Sequence, residues 1–358
     1  MSTVHQPITV LMAVYNGEKT IRRAIESILN QTFQEFEFLI VNDCSTDHTI
    51  EIIQTYKDSR IRLYNNHTNI GQTKSLNIGL NEAKGEYIAR IDADDYSLPQ
   101  RLAKQYKYIF SHPEYDVVGT DCAVINEHNE KITIARKKYS KEDIIIQTIT
   151  SPPLNHVSVI MKKKSVLKVG GYDPSYKTLA DYHLWSKLII SGFKFANLSE
   201  VLTVYTISNK SYGRINANTG LEEKNRIVYQ TAKALSNYSF NELEIKETIK
   251  LFDGNIIKMT DSKIKLAEKC YTGILLNLKP DLRISVSLKK IKSILEQNYL
   301  VAAYHYLLKK DSKNTRKIIV KFIKNHGLSF YAAFILILSL FDISNIRKLN
   351  YLRAKFLK

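Results

Sequence analysis

Three aspartates, Asp92, Asp94 and Asp95, follow an apolar run that ends at Ile91 and precede a turn signal at Pro99. If this segment is extended, side chains two residues apart point the same way, so Asp92 and Asp94 lie on one side. Two carboxylates held together repel, and a divalent cation removes the repulsion. A site with oxygen ligands alone and an open coordination shell suits Mg²⁺ or Mn²⁺ shared with substrate phosphates. The structural alternative is that Asp94 or Asp95 caps a helix or forms a turn.

The elements that must position these acids alternate between strands and helices. Apolar runs predict four strands, over residues 8–16, 36–43, 61–66 and 87–95. Apolar residues at helical spacing follow each of the first three, with Ser45 and Thr46 as candidate N-caps of the second helix. This alternation predicts an α/β fold with a doubly wound, mainly parallel sheet. Because ligands bind beyond the carboxyl ends of such strands, we expect Asn16, Asp43 and Asp92 at one pocket.

Past residue 95 the pattern is looser. It predicts helices over 99–112 and 182–192, strands over 116–126 and 200–207, and a strand with a short helix before Gly170 and Gly171. Residues 120–150 and 170–180 contain loops whose sequence does not indicate what they would bind. From about residue 210 the spacing is almost wholly helical. We therefore predict two domains, 1–208 and 209–358.

The charge changes at the same place. Residues 209–358 hold 28 Lys and Arg against 12 acidic residues, and residues 1–208 hold 24 against 23. The second domain therefore carries about +16 of the formal net charge of +17. We predict that this basic region binds a membrane surface; the alternative is an ordinary helical subdomain with a charged exterior. Its lysines are dispersed among apolar residues without a known nucleic-acid motif, so we expect no nucleic-acid partner.

Two further features bear on location. The three cysteines lie far apart without a CxxC pair, and the chain start shows no signal peptide, which favours the cytoplasm. The apolar segment 328–341, with basic flanks, is short for a membrane span of roughly 20 residues. It remains open whether this segment packs, lies in a membrane surface or spans it. The expected location is cytoplasmic, including the inner face of the cytoplasmic membrane.

Four stretches occur in the order and spacing of one enzyme family. They are ITVLMAVYN, LIVNDCSTDHT, ARIDADD and GGYDPSYKTLADYHLW. Together they resemble the family 2 glycosyltransferases, nucleotide-sugar enzymes with the GT-A fold. The resemblance covers roughly residues 7–205, in bacterial surface-polysaccharide type members.

The resemblance implies a role for each matching residue. Ala13 and Tyr15 would line the nucleotide pocket, Asp43 would accept a hydrogen bond from uracil, and Asp92 would hold the ribose region. Asp94 would be the metal ligand of the DxD motif, with Asp92 beside it, and Asp181 would be the catalytic base. On the acceptor side it places Asn155, His156 and Trp185. The alternatives are a turn-forming role for Asp43, an N-cap role for Asp181, and core packing for His156 and Trp185.

This chain departs from the family pattern at several positions. Asn42 and Cys44 replace an acid and a glycine, and His183 stands where Asp is common. Ala180 stands where the family carries a Glu before the base, so Asp181 has lost an acidic neighbour. The stretch after the last core strand lacks the usual Arg and His, so metal coordination would depend on Asp94, the diphosphate and water.

The chemistry of a sugar nucleotide needs one carboxylate base. Its leaving diphosphate is already a weak base, and a bound Mn²⁺ or Mg²⁺ stabilises the charge that develops on it. A single Asp181 that takes the proton of the attacking hydroxyl can contribute about 10²- to 10⁴-fold. Direct displacement of this kind inverts the anomeric configuration.

The predicted function is therefore an inverting glycosyltransferase that acts in bacterial capsule, O-antigen or lipooligosaccharide synthesis. The expected donor is a UDP-sugar, and the expected acceptor is a hydroxyl of a growing glycan, including a lipid-linked one. The alternatives are a non-catalytic protein that binds nucleotide sugars and a basic nucleic-acid-binding protein.

Overall fold

The computed structural model describes residues 6–207, 217–253, 255–282, 284, 286–308 and 311–326. They form two units, divided between Thr231 and Ala232. The first unit contains the sheet and every candidate site residue, and the second is helical. The first unit thus reaches past residue 208, the predicted boundary, and includes most of the helix that begins at Ala217.

The first unit is built from nine strands and eight α-helices among the described residues. The strands are β1 (Ile8–Val14), β2 (Phe36–Asn42), β3 (Ile61–Asn65), β4 (Tyr87–Arg90), β5 (Tyr96–Ser97), β6 (Val117–Asn126), β7 (Lys131–Ala135), β8 (Ile160–Lys162) and β9 (Phe195–Ile207). The helices are α1 (Ile21–Leu29), α2 (Thr49–Gln54), α3 (Gln72–Glu82), α4 (Arg101–Ser111), α5 (Lys141–Thr148), α6 (Lys163–Lys168), α7 (Ala180–Ile190) and α8 (Ala217–Leu235).

All nine strands belong to one sheet, in the order β3-β2-β1-β4-β8-β6-β9-β5, with β7 paired to β6. The pairs β3·β2, β2·β1 and β1·β4 are parallel, as predicted for the first four strands. Strand β8 is antiparallel to both β4 and β6, whereas β6 and β9 pair in parallel. The carboxyl ends of β1, β2 and β4 therefore lie together and can hold one site.

The core of this unit follows from the apolar pattern. Every residue of β1 and β2 is buried, because these central strands are covered on both faces. Helix α1 contributes a face whose members recur three or four residues apart and are fully buried: Ile21, Ala24, Ile25 and Ile28. The prediction of a helix there is confirmed.

A close approach of backbones fixes the start of β4. A Cβ atom placed on Gly85 would lie 2.5 Å from the Thr9 nitrogen and 2.6 Å from the carbonyl carbon of Ile8. Gly85 N–H donates to Thr9 Oγ1 at 2.9 Å. Gly85 therefore serves the contact with β1, while helix α3 ends earlier, with Ala83 as its C-cap.

The predicted strand through Asp95 is wrong in its last part. Strand β4 ends at Arg90, and the Asp95 N–H donates to the Asp92 carbonyl at 3.2 Å, which closes a turn. The chain then re-enters the sheet as β5, paired to β9. Asp92 and Asp94 therefore do not share a side by strand alternation, and the turn alternative holds for this segment.

The predicted N-cap of α2 is also wrong. The helix begins at Thr49 with His48 as its N-cap. Ser45 Oγ instead accepts from the Asn16 N–H at 3.0 Å, and the Thr46 N–H donates to Asn16 Oδ1 at 2.8 Å. These hydrogen bonds join the β1–α1 loop to the β2–α2 loop. The bonded residues are 29 or 30 positions apart in the sequence, so the local sequence pattern does not predict the contact.

The second unit consists of four α-helices in the described part of the chain. They are α9 (Glu242–Phe252), α10 (Asp261–Leu276), α11 (Leu288–Leu308) and α12 (Ser312–His326). Asn241 and Glu244 form a reciprocal capping box at the start of α9. Among the described residues no helix combines the length and apolarity that a membrane span requires. The apolar segment 328–341 lies outside the described residues.

Candidate active site

The carboxylate of Asp43 is buried and organises the loop before α3. Its Oδ1 accepts from Asn66 Nδ2 at 2.8 Å and from the Ile70 N–H at 2.9 Å, and its Oδ2 accepts from the Gly71 N–H at 2.8 Å. The turn-forming alternative is not what the structure shows, because the Ser45 N–H donates to Asn42 instead. Asp43 is held rigidly just beyond the end of β2.

The loops that follow β1 and β2 each contain one strained position. Cys44 has φ of 61° and Asn16 has φ of 52°, in the left-handed region. Glycine adopts this region without steric cost, and asparagine tolerates it better than most residues. The glycine common in the family at the position of Cys44 therefore has a physical reason here. Ala13 is buried near the end of β1, and Tyr15 is half exposed directly after it.

Asp92 is paired with a fully buried arginine. Arg90 Nη2 donates to Asp92 Oδ1, and Gln72 Nε2 on α3 donates to the same oxygen at 3.0 Å. Arg90 also donates to the carbonyls of Leu11 and Ile91. The charge of Asp92 is thus compensated by the protein itself.

A second buried arginine, Arg101, binds the backbone of Arg90. Arg101 Nη2 donates to the carbonyls of Arg90 at 2.7 Å and Val159 at 3.1 Å. Burial lowers the pKa of Arg101 to about 10. Arg101 thus anchors the end of β4 from helix α4.

Asp94 lies at the tip of the turn with its side chain exposed. Its backbone carbonyl, rather than its carboxylate, accepts from Arg23 Nη2 and Thr206 Oγ1, both at 2.7 Å. The carboxylate reaches solvent, but surrounding protein atoms desolvate it. This desolvation, followed by the negative charge of Asp92, raises the pKa of Asp94 to about 6.

Asp95 points the other way and is fully buried. One oxygen accepts from the Thr206 N–H at 2.7 Å, and Oδ2 has no partner among the described residues. Burial, followed by the charge of Asp94, raises the pKa of Asp95 well above its ordinary value. Asp95 is therefore a structural residue that fixes the turn against β9.

Asp181 occupies the second position of helix α7. The N-cap is Leu179, so the N-cap alternative for Asp181 is wrong. Burial is the largest influence on this carboxyl and raises its pKa, and the charge of Asp92 acts in the same direction. The ammonium of Lys137, which donates to the Pro152 carbonyl at 2.9 Å, acts in the opposite direction. Asp181 therefore binds a proton more readily than an ordinary aspartate.

Tyr205 on β9 links the two groups of acids. Burial raises its pKa to about 12, and further increments come from four acids: Asp95, Asp92, Asp94 and Asp181. Its hydroxyl is therefore within electrostatic range of both the Asp92–Asp95 turn and the start of α7. Asp94 and Asp181 therefore both lie within electrostatic range of one tyrosine.

The residues predicted for the acceptor side are half-buried or fully buried. His156 Nε2 lies 2.8 Å from the Tyr172 hydroxyl, and burial lowers the pKa of His156 to about 3, so the ring is neutral near pH 7. Trp185 is fully buried and packs edge to face against His156 and Phe195. Asn155 Nδ2 donates to the carbonyls of Thr120 and Ala135, which holds β6 and β7 in place.

The carboxylates near Asp94 offer few free ligands for a divalent cation. In the described part of the chain, no group of three or more His, Cys, Asp or Glu side chains could hold a metal ion by itself. Asp94 offers an exposed carboxylate, whereas Asp92 Oδ1 is already engaged by Arg90 and Gln72. A single aspartate with room for phosphate oxygens and water fits Mg²⁺ or Mn²⁺, which retain water ligands.

Four residues of this region were not predicted from the sequence. Arg90, Lys137, Tyr172 and Tyr205 contribute to it from four separate segments. Of these four, Tyr205 is the residue that the sequence could have indicated, because it lies near the carboxyl end of the predicted strand 200–207. The other three become visible only in the folded chain.

Sequence comparisons relate the chain to known proteins. The family model described as glycosyl transferase family 2 matches residues 9–169. The chain is similar to the O-antigen biosynthesis glycosyltransferase WbnJ of Escherichia coli, with 34% identity over 68% of this chain and 92% of WbnJ. It is also similar to WfaP of Escherichia coli, a UDP-Glc:alpha-D-GlcNAc-diphosphoundecaprenol beta-1,3-glucosyltransferase, with 28% identity over 56% of this chain and 77% of WfaP.

A solved structure shares the fold. The crystal structure of S. aureus TarS 1-349 in complex with UDP-GlcNAc superposes with a TM-score of 0.55 at 21% identity, and covers 90% of this chain and 93% of that chain. The predicted α/β fold of GT-A type with a helical C-terminal region is confirmed by this likeness.

Proposed function

Because this chain belongs to glycosyl transferase family 2 and is a glycosyltransferase, we propose that it moves a sugar from a UDP-sugar to a glycan hydroxyl with inversion. One observation carries the proposal. The exposed carboxylate of Asp94 and the raised-pKa carboxyl of Asp181 lie within electrostatic range of the same Tyr205 hydroxyl. In this proposal the diphosphate would bind beside Asp94, and Asp181 would be the proton acceptor.

Asp43 would recognise the base of the donor. Among the described residues, Oδ1 takes two donors and Oδ2 takes one, whereas a carboxylate oxygen accepts two. One acceptor direction on Oδ2 therefore suits the imide N–H of uracil. Ala13 and Tyr15, which precede Asp43 at the neighbouring strand end, would line the same pocket, and TarS was crystallised with UDP-GlcNAc.

Asp94 would hold the diphosphate end of the donor through Mn²⁺ or Mg²⁺. When bound, such a cation stabilises the negative charge that develops on the departing diphosphate. Asp94 must be ionised to act as ligand, and Arg23, whose guanidinium favours that ionised form, donates to its backbone carbonyl. Asp92, neutralised by Arg90, would face the ribose as a hydrogen-bond acceptor rather than serve as a full second ligand.

Asp181 would be the general base. A base is most effective when its pKa approaches the working pH, and burial moves Asp181 in that direction. The proton would pass from the acceptor hydroxyl to an Asp181 oxygen as that hydroxyl attacks the anomeric carbon opposite the diphosphate. Neutral His156, which packs edge to face against Trp185, would present a hydrogen-bonding edge to the acceptor sugar, with Asn155 holding β6 and β7 beside it.

The acceptor would be a surface glycan, attached to a lipid, at the cytoplasmic face of the membrane. The name of WfaP specifies a diphosphoundecaprenol-linked acceptor, and the name of WbnJ specifies O-antigen biosynthesis. The 28 Lys and Arg of residues 209–358 would support membrane binding, because each basic residue near an anionic surface contributes about 1 kcal/mol to the binding free energy.

The proposal is tested by a thermal-shift screen of sugar nucleotides with and without Mn²⁺, followed by NMR of the product. We expect UDP-sugars to raise the Tm more than GDP- or dTDP-sugars, with the larger increase in Mn²⁺. We expect a β-linked product from an α-linked donor. A product with the donor's own anomeric configuration would refute the mechanism, and no response to any sugar nucleotide would refute the function.

A further inference from the structure

Glu223 on helix α8 is a buried carboxylate with an unusual set of partners. Its Oε1 accepts from the Lys177 N–H at 2.7 Å, and its Oε2 accepts from the N–H groups of Thr178 at 3.0 Å and Leu179 at 2.8 Å. Only 6% of Glu223 is exposed. One side chain therefore binds three consecutive backbone amides from 44 to 46 positions earlier in the chain.

These three amides lead directly into the helix that carries the candidate base. Leu179 is the N-cap of α7, its side chain provides no capping bond, and Asp181 follows at the second helical position. A carboxylate at the start of a helix is also favoured by the helix dipole. Glu223 thus fixes the backbone two residues before Asp181 and the helix end on which Asp181 stands.

The same face of α8 holds the rest of this loop. The guanidinium of Arg226 lies 3.9 Å from the centroid of the Tyr176 ring, and Gln230 Oε1 accepts from the Tyr176 hydroxyl at 3.3 Å. The Tyr176 ring stacks on His183 of α7 at 3.9 Å between centroids. Residues 223, 226 and 230 lie three or four positions apart, so one face of α8 makes all of these contacts.

The residue before Asp181 supplies no carboxylate at the start of α7. Ala180 stands directly before Asp181, at the position where an acidic neighbour is common in the family. Alanine has no polar atom with which to orient its neighbour. The carboxylate of Glu223, which reaches the same helix start from α8, is the acid that the fold supplies there.

We propose that Glu223 is a positioning residue for transfer, which holds Asp181 in place through the backbone of residues 177–179. This inference rests on the proposed function, because it takes Asp181 as the base. It also gives one residue of α8, beyond the family match that ends at residue 169, a positioning role in transfer.

The hydrogen bonds of Glu223 are tested most directly by the variant Glu223→Gln. In Glu223→Gln, one oxygen becomes an NH₂ group, which cannot accept from Thr178 and Leu179 or, in the flipped rotamer, from Lys177. Size is preserved, so a role in packing alone would tolerate it. A displacement of about 1 Å in a catalytic group can cost about 100-fold in rate.

The experiment measures kcat, KM and UDP affinity, using release of UDP from UDP-GlcNAc or UDP-glucose, whichever gives the larger turnover. We expect Glu223→Gln to lower kcat by about 10- to 100-fold, with donor KM and UDP affinity within about twofold of wild type. Amide hydrogen exchange of residues 177–179 should accelerate. The matched control is Glu222→Gln, an exposed glutamate of the same helix, which should leave all these quantities unchanged.

A double-mutant cycle separates positioning from general destabilisation. If Glu223 acts through Asp181, Glu223→Gln should cause no further loss of kcat in an Asp181→Asn background. Losses that multiply would overturn the inference, as would wild-type kcat in Glu223→Gln beside an inactive Asp181→Asn. If Glu223→Gln does not fold, Glu223→Asp keeps the charge with a shorter reach, and we expect a smaller loss confined to kcat.

The two proposals fail in different ways. Full activity of Asp181→Asn would remove the base and, with it, this inference. Normal kcat in Glu223→Gln would remove only the positioning role and leave the proposed function intact.

Discussion

The pKa of Asp94 gives a quantitative test of the proposed cation site. A ligand carboxylate must be deprotonated, so cation affinity should follow the ionised fraction of Asp94. With a pKa of about 6, that fraction falls from about 97% at pH 7.5 to about 9% at pH 5. Acidification should therefore weaken the Mn²⁺-dependent binding of the donor.

The expected magnitude is about a tenfold increase in the Kd of the UDP-sugar in Mn²⁺ between these two pH values, or about 1.4 kcal/mol. An ordinary aspartate with a pKa near 3.8 would remain ionised over this range and give almost no change. The difference arises because desolvation by surrounding protein atoms and the charge of Asp92 disfavour ionisation of Asp94.

Isothermal titration calorimetry with a UDP-sugar provides the assay, because the diphosphate of a sugar nucleotide has no group that titrates in this range, unlike free UDP. Binding in EDTA is the baseline. Asp94→Asn is the matched variant, since it removes the titrating group and should abolish both the Mn²⁺ increment and its pH dependence. A Kd in Mn²⁺ that does not change from pH 7.5 to pH 5, or an equal change in Asp94→Asn, would refute the reasoning.

Three further outcomes follow from the fold and its charge. Gly85→Ala should lower the free energy of unfolding in urea by about 2 to 3 kcal/mol, because its Cβ would lie 2.5 Å from the Thr9 nitrogen; an unchanged midpoint would contradict this. Cys44→Gly should raise the free energy of unfolding by about 1 kcal/mol and preserve UDP binding, because φ is 61° at Cys44 and the thiol makes a long contact, 3.7 Å, with the His67 carbonyl; a loss of stability would contradict this. In flotation assays the protein should bind anionic vesicles and release them at high salt, whereas equal binding to neutral vesicles would exclude electrostatic docking by the basic region.

Local pattern was sufficient for the repeating elements. Ile21, Ala24, Ile25 and Ile28 predicted the buried face of α1, and all four are fully buried. The apolar runs predicted the parallel strands β1 to β4, because central strands of such a sheet must be apolar on both faces. Asp43 was placed at a strand end by the same logic, and its carboxylate is found in a buried network there.

Features that depend on distant partners were missed. Strand alternation was extended to Asp94, but the chain turns because the Asp95 carboxyl binds the Thr206 N–H, 111 residues away. The compensation of Asp92 by Arg90 depends on a side chain that points along the strand end, which residue spacing does not specify. Glu223 gave no signal at all, since a glutamate in a charged helix is ordinarily solvent exposed.

The central claim is that Asp181 removes the proton from the acceptor. The direct measurement is kcat of the Asp181→Asn variant beside the Kd of its UDP-sugar complex in Mn²⁺. We expect kcat to fall by about 10²- to 10⁴-fold while the Kd stays within about twofold of wild type, because asparagine keeps the shape and loses the base. Transfer at the wild-type rate by Asp181→Asn would contradict the account.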